Sequence, residues 1–214
     1  MVQPYIYNRQ KVPTIIICGE INEHKKSTVT ICYSNCPNFT TVQSFKDYEL
    51  RKYDALKWVA TNVTTMEYTD DINREMFFRL FYYISGNNSA AMKIPMTAPV
   101  LRTVIHGQGP TCEATFITHF MIPHNMQTNT PTPTDPKAYL VTIPGKNFYV
   151  KSFPGRPTDQ DFVEKVEELA QEIGNPNLYL DNYYFTASYD GPYAIHRHNE
   201  VWLESTSGVS RMLG

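Results

Sequence analysis

Two helical segments, about 90 residues apart and each flanked by pairs of strand-like segments, restrict the folds open to this chain. Apolar residues recur at helical spacing over residues 70–85 and again over residues 158–173. A Thr near the amino end and a Gly directly after the carboxyl end can cap each segment. The sequence therefore predicts two helices, which are too few for a doubly wound parallel fold.

The rest of the central chain has a strand-like composition, and turn residues such as Pro144-Gly145 separate its segments. Strands are predicted over residues 48–53, 56–63, 94–105, 115–122, 138–143, 148–153, 183–189 and 200–204. The order ββαββ thus occurs twice, and short strands joined by turns favour antiparallel pairing. This duplication predicts an α+β fold in which two outer helices cover one curved sheet or closed barrel.

The length of 214 residues suits a single domain. Residues 1–44 have no sustained hydrophobic period, so they are predicted to form a peripheral amino-terminal arm. Residues 45–205 carry both ββαββ units and are predicted to form the domain, and residues 206–214 to form a carboxy-terminal tail.

The charge and hydropathy patterns exclude two classes of partner. The net charge is −2 and no block of Lys or Arg stands out, so nucleic acid is not an expected partner. No segment approaches the roughly 20 apolar residues of a membrane span, so a soluble chain without a transmembrane segment is expected. The location is expected to be cytoplasmic, with an extracellular location as the alternative if the true amino terminus carries a signal peptide.

Cysteines and glycosylation sequons bear on that alternative. Cys32 and Cys36 lie close enough in sequence for a local disulfide in an oxidising compartment. N-x-S/T sequons begin at Asn38, Asn62 and Asn87. Because chance alone gives about two sequons in a chain of this composition, the three by themselves carry little weight.

No enzymatic constellation stands out in the sequence. A glycine-rich phosphate loop and a G-x-S-x-G elbow are both lacking. Cys112 and His119 could form a nucleophile–base pair, but no carboxylate is placed to orient them. His196 and His198 could reach one metal from a strand, but a third ligand is lacking nearby. The chain is therefore expected to be neither an enzyme nor a metal protein.

The first helix has a second aromatic face beside its core stripe. Arg74, Phe78, Phe81 and Tyr82 fall together on that face. The rings could stack on a flat conjugated ligand, and Arg74 or Arg79 could pair with a carboxylate on the rim of that ligand. Alternatively, the amino-terminal arm or another chain covers this face.

The run Met-Lys-Ile-Pro-Met-Thr-Ala-Pro-Val at residues 92–100 resembles the signature of the SOUL/haem-binding protein family. Segments at residues 48–61, 148–155, 184–192 and 197–202 resemble other family segments in the same order. The resemblance covers most of residues 32–205 and implies a duplicated, distorted antiparallel barrel with two outer helices.

The resemblance also implies a ligand and a site. The ligand is haem or a related tetrapyrrole, bound without catalysis in a shallow apolar groove beside the first helix by a carrier, buffer or sensor. The residues that match the groove of the family are Arg74, Phe77, Phe78, Phe81 and Tyr82. Lys52 stands where some relatives have a histidine that could ligate iron, so axial coordination is not implied there. The alternative function is a protein-interaction module that uses the same aromatic face, with haem incidental.

Overall fold

The computed structural model describes residues 36–107, 113–191 and 193–207, together with the backbone of residues 16–17 and 31–32. Most of the predicted arm, the end of the predicted tail and Cys112 lie outside these residues. The described strands are β1 (Ile16–Ile17), β2 (Ile31–Cys32), β3 (Phe39–Ser44), β4 (Glu49–Tyr53), β5 (Leu56–Thr65), β6 (Val100–Ile105), β7 (Ala114–Met121), β8 (Tyr139–Ile143), β9 (Lys146–Pro154), β10 (Tyr183–Ser188) and β11 (His198–Glu204). The α-helices are α1 (Asp70–Ser85) and α2 (Asp159–Ile173).

Nine of these strands form one antiparallel sheet in the order β3-β4-β9-β11-β10-β6-β7-β5-β8. The units β4-β5-α1-β6-β7 and β8-β9-α2-β10-β11 have the same element order, and β4, β5, β7 and β6 hold places that mirror those of β8, β9, β11 and β10 across the centre of the β10–β6 pair. The strand order therefore confirms the predicted α+β fold and its internal duplication. β1 and β2 form a separate antiparallel pair.

The sheet is strongly curled, and two short connections require this. Asp54 and Ala55 alone join β4 to β5, which hold the second and eighth places in the sheet. Pro144 and Gly145 alone join β8 to β9, which hold the ninth and third places. Strands six places apart would lie about 29 Å from each other in a flat sheet. A two-residue connection spans no more than about 11 Å between its flanking Cα atoms, so the sheet must bend into a distorted half-barrel.

The concave side of the curled sheet is filled by aromatic and aliphatic side chains from seven strands. Tyr53 of β4 stacks on Trp202 of β11, with ring centroids 4.7 Å apart. Phe148 and Phe185 contact each other edge to face, at 5.5 Å. The buried members of this cluster are Tyr53, Leu56, Trp58, Leu101, Met121, Phe148, Val150, Phe185, Ala187 and Trp202. Side chains from both ends of the strand order thus meet in one core.

The two helices cover the convex side, as the sequence predicted. α1 buries Leu80, Tyr83 and Ile84 against the outer side chains of β5 and β7. α2 buries Phe162 and Leu169 against the outer side chains of β4, β9 and β11. Among the described residues, neither helix is long and apolar enough to cross a membrane.

The structure corrects two sequence-based assignments. The predicted strand 94–105 is a strand only over Val100–Ile105, because Pro95 and Pro99 have no N–H to donate to a ladder. The sequence predicts that Phe39–Ser44 belongs to the arm, yet these residues pair with β4 as an edge strand. This strand could not be predicted from the sequence because nearly all of its side chains are exposed. It therefore lacks the alternation of apolar and polar residues that indicates a strand.

The irregular segment before β6 fastens α1 to the sheet. The Ile94 amide donates to the Ile84 carbonyl at the end of α1, at 2.8 Å. The Thr97 hydroxyl donates to the Met121 carbonyl at the end of β7, also at 2.8 Å. The signature run therefore has an architectural role and holds the helix against the strand it covers.

We expect Thr158→Ala to lower the free energy of unfolding by about 1 kcal/mol, measured by urea denaturation. The Thr158 hydroxyl accepts from the Asp161 amide at 3.2 Å, and the Asp161 carboxylate accepts from the Thr158 amide at 2.7 Å. This reciprocal capping box fixes the start of α2, which covers one side of the sheet. Thr158→Ser keeps the hydroxyl and is expected to retain the stability, so an equal loss in both variants would contradict the capping role.

Candidate ligand-binding site

An open groove of about 700 Å³ runs along the face of α1 that points away from the sheet. The burial of Met76, Leu80 and Tyr83 fixes the orientation of the helix, so the opposite side chains face outward. The groove is lined by Asp71, Arg74, Glu75, Phe78, Arg79, Tyr82 and, from the segment before β8, Asp135. The helix–sheet packing therefore positions six of the seven lining residues.

Three aromatic rings on α1 remain accessible to solvent. Phe78 is 40% exposed, Phe81 39% and Tyr82 56%. The ring of Phe78 lies 6.1 Å from that of Phe81 and 6.1 Å from that of Tyr82, so the three form one patch. Contiguous exposed rings of this kind are uncommon on a surface without a partner, and they indicate a binding face.

The two arginines of the groove have different surroundings. Arg79 donates to the Thr61 hydroxyl at 2.8 Å, and its guanidinium also pairs with the carboxylates of Glu75 and Asp135. Arg79 is thus fully used in holding the wall of the groove. Arg74 is exposed and forms no ion pair or hydrogen bond with the described residues. Arg74 is consequently the groove cation that can pair with a ligand carboxylate.

The five residues predicted from the sequence divide between two adjacent faces of α1. Arg74, Phe78 and Tyr82 line the groove. Phe81 is exposed next to Phe78 but is outside the lining. Phe77 is half-buried, and its ring lies 5.2 Å from that of Phe120 in the helix–sheet interface. Phe77 therefore supports the aromatic face from below.

The groove is more polar than the sequence predicted. Asp71, Glu75 and Asp135 add three carboxylates to the lining, and none of them was among the predicted site residues. The sequence did indicate that two of these carboxylates share a face of α1. Asp71, Glu75 and Arg79 follow one another at spacings of four on the helix. Asp135 had no such signal because it reaches the groove from a distant segment.

The groove lining contains no imidazole, thiolate or thioether. Among the described histidines, His124 hydrogen-bonds the Cys36 carbonyl, His198 hydrogen-bonds the Glu200 carboxylate and His196 is exposed on a loop. No cluster of three or more metal-ligating side chains occurs within the described residues. Lys52 is exposed on β4, away from the lining.

His119, the predicted partner of Cys112, is enclosed in the sheet. It lies on β7 and is 4% exposed, with its Nδ1 atom 3.3 Å from the Leu101 carbonyl oxygen. Burial lowers the pKa of His119 to about 4, although hydrogen bonds to backbone carbonyls oppose this shift. The ring is therefore neutral at physiological pH, and it is not part of the groove lining.

A buried polar network centres on Glu200, which sequence reasoning did not single out. The Glu200 carboxylate accepts from Arg51 at 2.9 Å, from the Tyr189 hydroxyl at 2.8 Å and from the Trp202 indole at 2.8 Å. Burial alone would raise the pKa of Glu200, but Arg51 and His198 outweigh it and hold that pKa well below its usual range. Glu200 is therefore a permanent buried anion that is stabilised by its donors.

The comparisons with known proteins agree with this fold. The family model described as SOUL heme-binding protein matches residues 34–204. The chain is 35% identical to heme-binding protein 2 of Homo sapiens over 158 residues, which cover 73% of this chain and 77% of that protein. It is 29% identical to heme-binding protein 1 of Xenopus tropicalis over 157 residues, which cover 73% of this chain and 82% of that protein.

A solved structure shares the fold at much lower identity. The crystal structure of an uncharacterized conserved protein from Listeria innocua aligns with a TM-score of 0.53 and 12% identity, over 75% of this chain and 92% of that chain. The family model spans the whole nine-stranded sheet, and the human relative exceeds 30% identity over most of both chains. The chain therefore belongs to the SOUL heme-binding protein family.

Proposed function

We propose that this chain binds haem or a related tetrapyrrole in the α1 groove and acts as a carrier, buffer or sensor rather than as an enzyme. The observation that carries the proposal is the exposed aromatic patch of Phe78 and Tyr82 beside Arg74, which has no ion pair among the described residues. Membership of a family whose relatives are named heme-binding proteins supports the choice of ligand.

The groove residues fit a flat, dicarboxylate macrocycle. The rings of Phe78 and Tyr82 offer apolar faces on which a conjugated ring system can stack. Arg74 supplies a guanidinium for one carboxylate, and the groove volume of about 700 Å³ lies in the usual range for ligand sites. Because Asp71 adds an opposing charge, we expect apolar contact to contribute more to affinity than charge. Apolar burial of this kind can reach micromolar affinity, about −8 kcal/mol.

The chain would hold the macrocycle and leave the metal without a nitrogen ligand from the groove. Bound haem would supply an iron centre, whereas Phe78, Tyr82 and Arg74 would orient the ring and its carboxylates. His119 and Glu200, whose pKa values are strongly lowered, are enclosed in the sheet and do not line the groove. This separation supports a binding role over a catalytic one.

Ferric haem titrated into the purified chain is expected to saturate at one equivalent, followed at the Soret band and by quenching of Trp58 and Trp202. The double variant Phe78→Ser/Tyr82→Ser is expected to weaken haem binding by about 10- to 100-fold, because two stacking faces are lost. Tyr193→Ser removes a ring that is 94% exposed and outside the groove lining, and it should leave the affinity unchanged.

A second function is favoured by the charged rim. Five of the seven lining side chains are charged, which suits a protein partner whose helix places apolar residues on the rings and ions on the rim. The same titration separates the two functions. If the wild type and the double variant had equal haem affinity, haem would not bind in the α1 groove, and the protein-partner function would be favoured for this surface.

A further inference from the structure

We propose that Asn38, Asn62 and Asn87 carry N-linked glycans, so that this chain matures in an oxidising, secretory compartment. The inference is independent of the ligand of the groove. In the reaction the amide nitrogen of each Asn attacks the anomeric carbon of an oligosaccharide carried on a lipid diphosphate. The new N–C bond replaces the C–O bond to the diphosphate, which leaves with its electron pair, and the amide loses one proton.

The fold places all three sequons at the surface. Asn38 precedes β3, Asn62 lies in the second half of β5 and Asn87 follows the cap of α1. All three asparagines are exposed, as are the hydroxyl residues that complete the sequons, Thr40, Thr64 and Ser89. None of the three asparagine side chains forms a hydrogen bond within the described part of the chain. A glycan at each position would therefore extend into solvent without displacing a structural contact.

Two asparagines that are not the acceptor residue of a sequon, Asn88 and Asn199, are buried structural residues. Asn88 is 4% exposed, and its amide donates to the carbonyls of Tyr83 and Met92. Asn199 is 3% exposed and donates to the Gly155 carbonyl. In the tripeptide Asn87-Asn88-Ser89 the acceptor of the sequon is thus the exposed Asn87, whereas Asn88 is buried and has a structural role.

A disulfide provides an independent indication of the compartment. Cys36, two residues before Asn38, is disulfide-bonded. It is buried against Ala98 and Tyr189 at the start of the sheet. Disulfides persist in secretory and extracellular compartments and are rare in the cytosol. N-linked glycans are added in the same secretory compartments, so the bond and the sequons are consistent with one route of maturation.

The glycan on Asn87 would stand beside the groove. The backbone N–H of Asn87 donates to the Tyr82 carbonyl at 3.0 Å, and the Thr134 hydroxyl donates to the backbone carbonyl of Asn87 at 3.0 Å. Tyr82 and Asp135, the residue after Thr134, both line the groove. This glycan would consequently border the groove at the carboxyl end of α1. It would limit the size of a ligand or partner that enters the groove from that end.

The test uses the full chain isolated from the cells that make it. Peptide-N-glycosidase in ¹⁸O-labelled water converts each glycosylated asparagine to labelled aspartate, which peptide mass spectrometry locates. We expect label at Asn38, Asn62 and Asn87, and unlabelled Asn88 and Asn199 in the same digest. A non-reducing digest should also recover the Cys36 peptide cross-linked. Unlabelled asparagine at all three sequons of the isolated chain would overturn the proposal.

Variants expressed in the same cells provide a second, independent readout. Asn62→Gln is expected to remove one step of glycosidase-sensitive gel mobility, and Thr64→Ser, which keeps the sequon, to retain it. Both changes are at exposed positions of β5, so both variants are expected to fold. Identical mobility of wild type and Asn62→Gln before glycosidase treatment would overturn the assignment of Asn62.

Discussion

Arg51→Met is expected to lower the free energy of unfolding by about 3–5 kcal/mol at neutral pH, measured by urea denaturation. Arg51 and Glu200 are 7% and 1% exposed, so the pair is shielded from water. Removing the guanidinium leaves a buried carboxylate without its principal counter-charge, and solvent cannot replace it. The Tyr189 hydroxyl and the Trp202 indole still donate to the carboxylate, but neither group carries a charge.

Two further variants isolate the buried charge as the cause. Arg51→Met/Glu200→Gln removes both charges and is expected to recover a substantial part of the lost stability. Lys46→Met removes a cation that pairs with Asp47 at the surface, and it is expected to change stability little. If Arg51→Met and Lys46→Met had the same small effect, the Glu200 network would not be a major source of stability.

Acidification from pH 6.5 to pH 4 is expected to destabilise the chain by about 3 kcal/mol through His119 alone. The pKa of His119 is about 4 in the folded chain, against 6.5 for an ordinary histidine. Between these values the unfolded chain binds a proton and the folded chain does not, so stability falls as the pH falls. Well above pH 6.5 the histidine is neutral in both states, so the contribution is constant there. Glu200 acts in a lower window, because its depressed pKa costs stability only below its ordinary value of 4.5.

The measurement is a set of urea titrations at pH 4, 5, 6 and 7, in which the slope of stability against pH is compared between variants. His119→Gln keeps a polar side chain of similar length without a proton-binding ring, so its curve should be flatter by the amount assigned to His119. His196→Gln, at an exposed loop position, should leave the slope unchanged. Parallel curves for wild type and His119→Gln would show that the ring does not titrate in this window.

Local sequence signals were sufficient to predict the positions of both helices. α1 has the predicted bounds Asp70–Ser85, and Thr158 caps α2 where the sequence placed the start of the second helix. Periodicity, caps and dipole-favouring residues all act within a few positions, so they can be read without knowledge of the fold. The repeated ββαββ order could be predicted for the same reason, since recognising it requires only the type and order of the elements.

Strand partners and buried ion pairs could not be predicted in this way. Arg51 and Glu200 are 149 residues apart, and nothing in their local surroundings distinguishes them from surface charges. The same holds for Asp135, which completes the groove from a segment far from α1. In contrast, Arg74, Phe78 and Tyr82 were predicted to share a face, because a single helix brings them together.

The strand order makes the two halves of this chain interdependent. β4 of the first half pairs with β9 of the second, and β8 of the second half pairs with β5 of the first. Each repeat therefore donates its leading strand to the other, as two subunits do in a domain-swapped dimer, but within one polypeptide. In a single repeat alone, the leading strand would have no strand to pair with, and the sheet would lack the edge strand that the other repeat supplies. The two repeats of this chain accordingly depend on each other for a complete sheet.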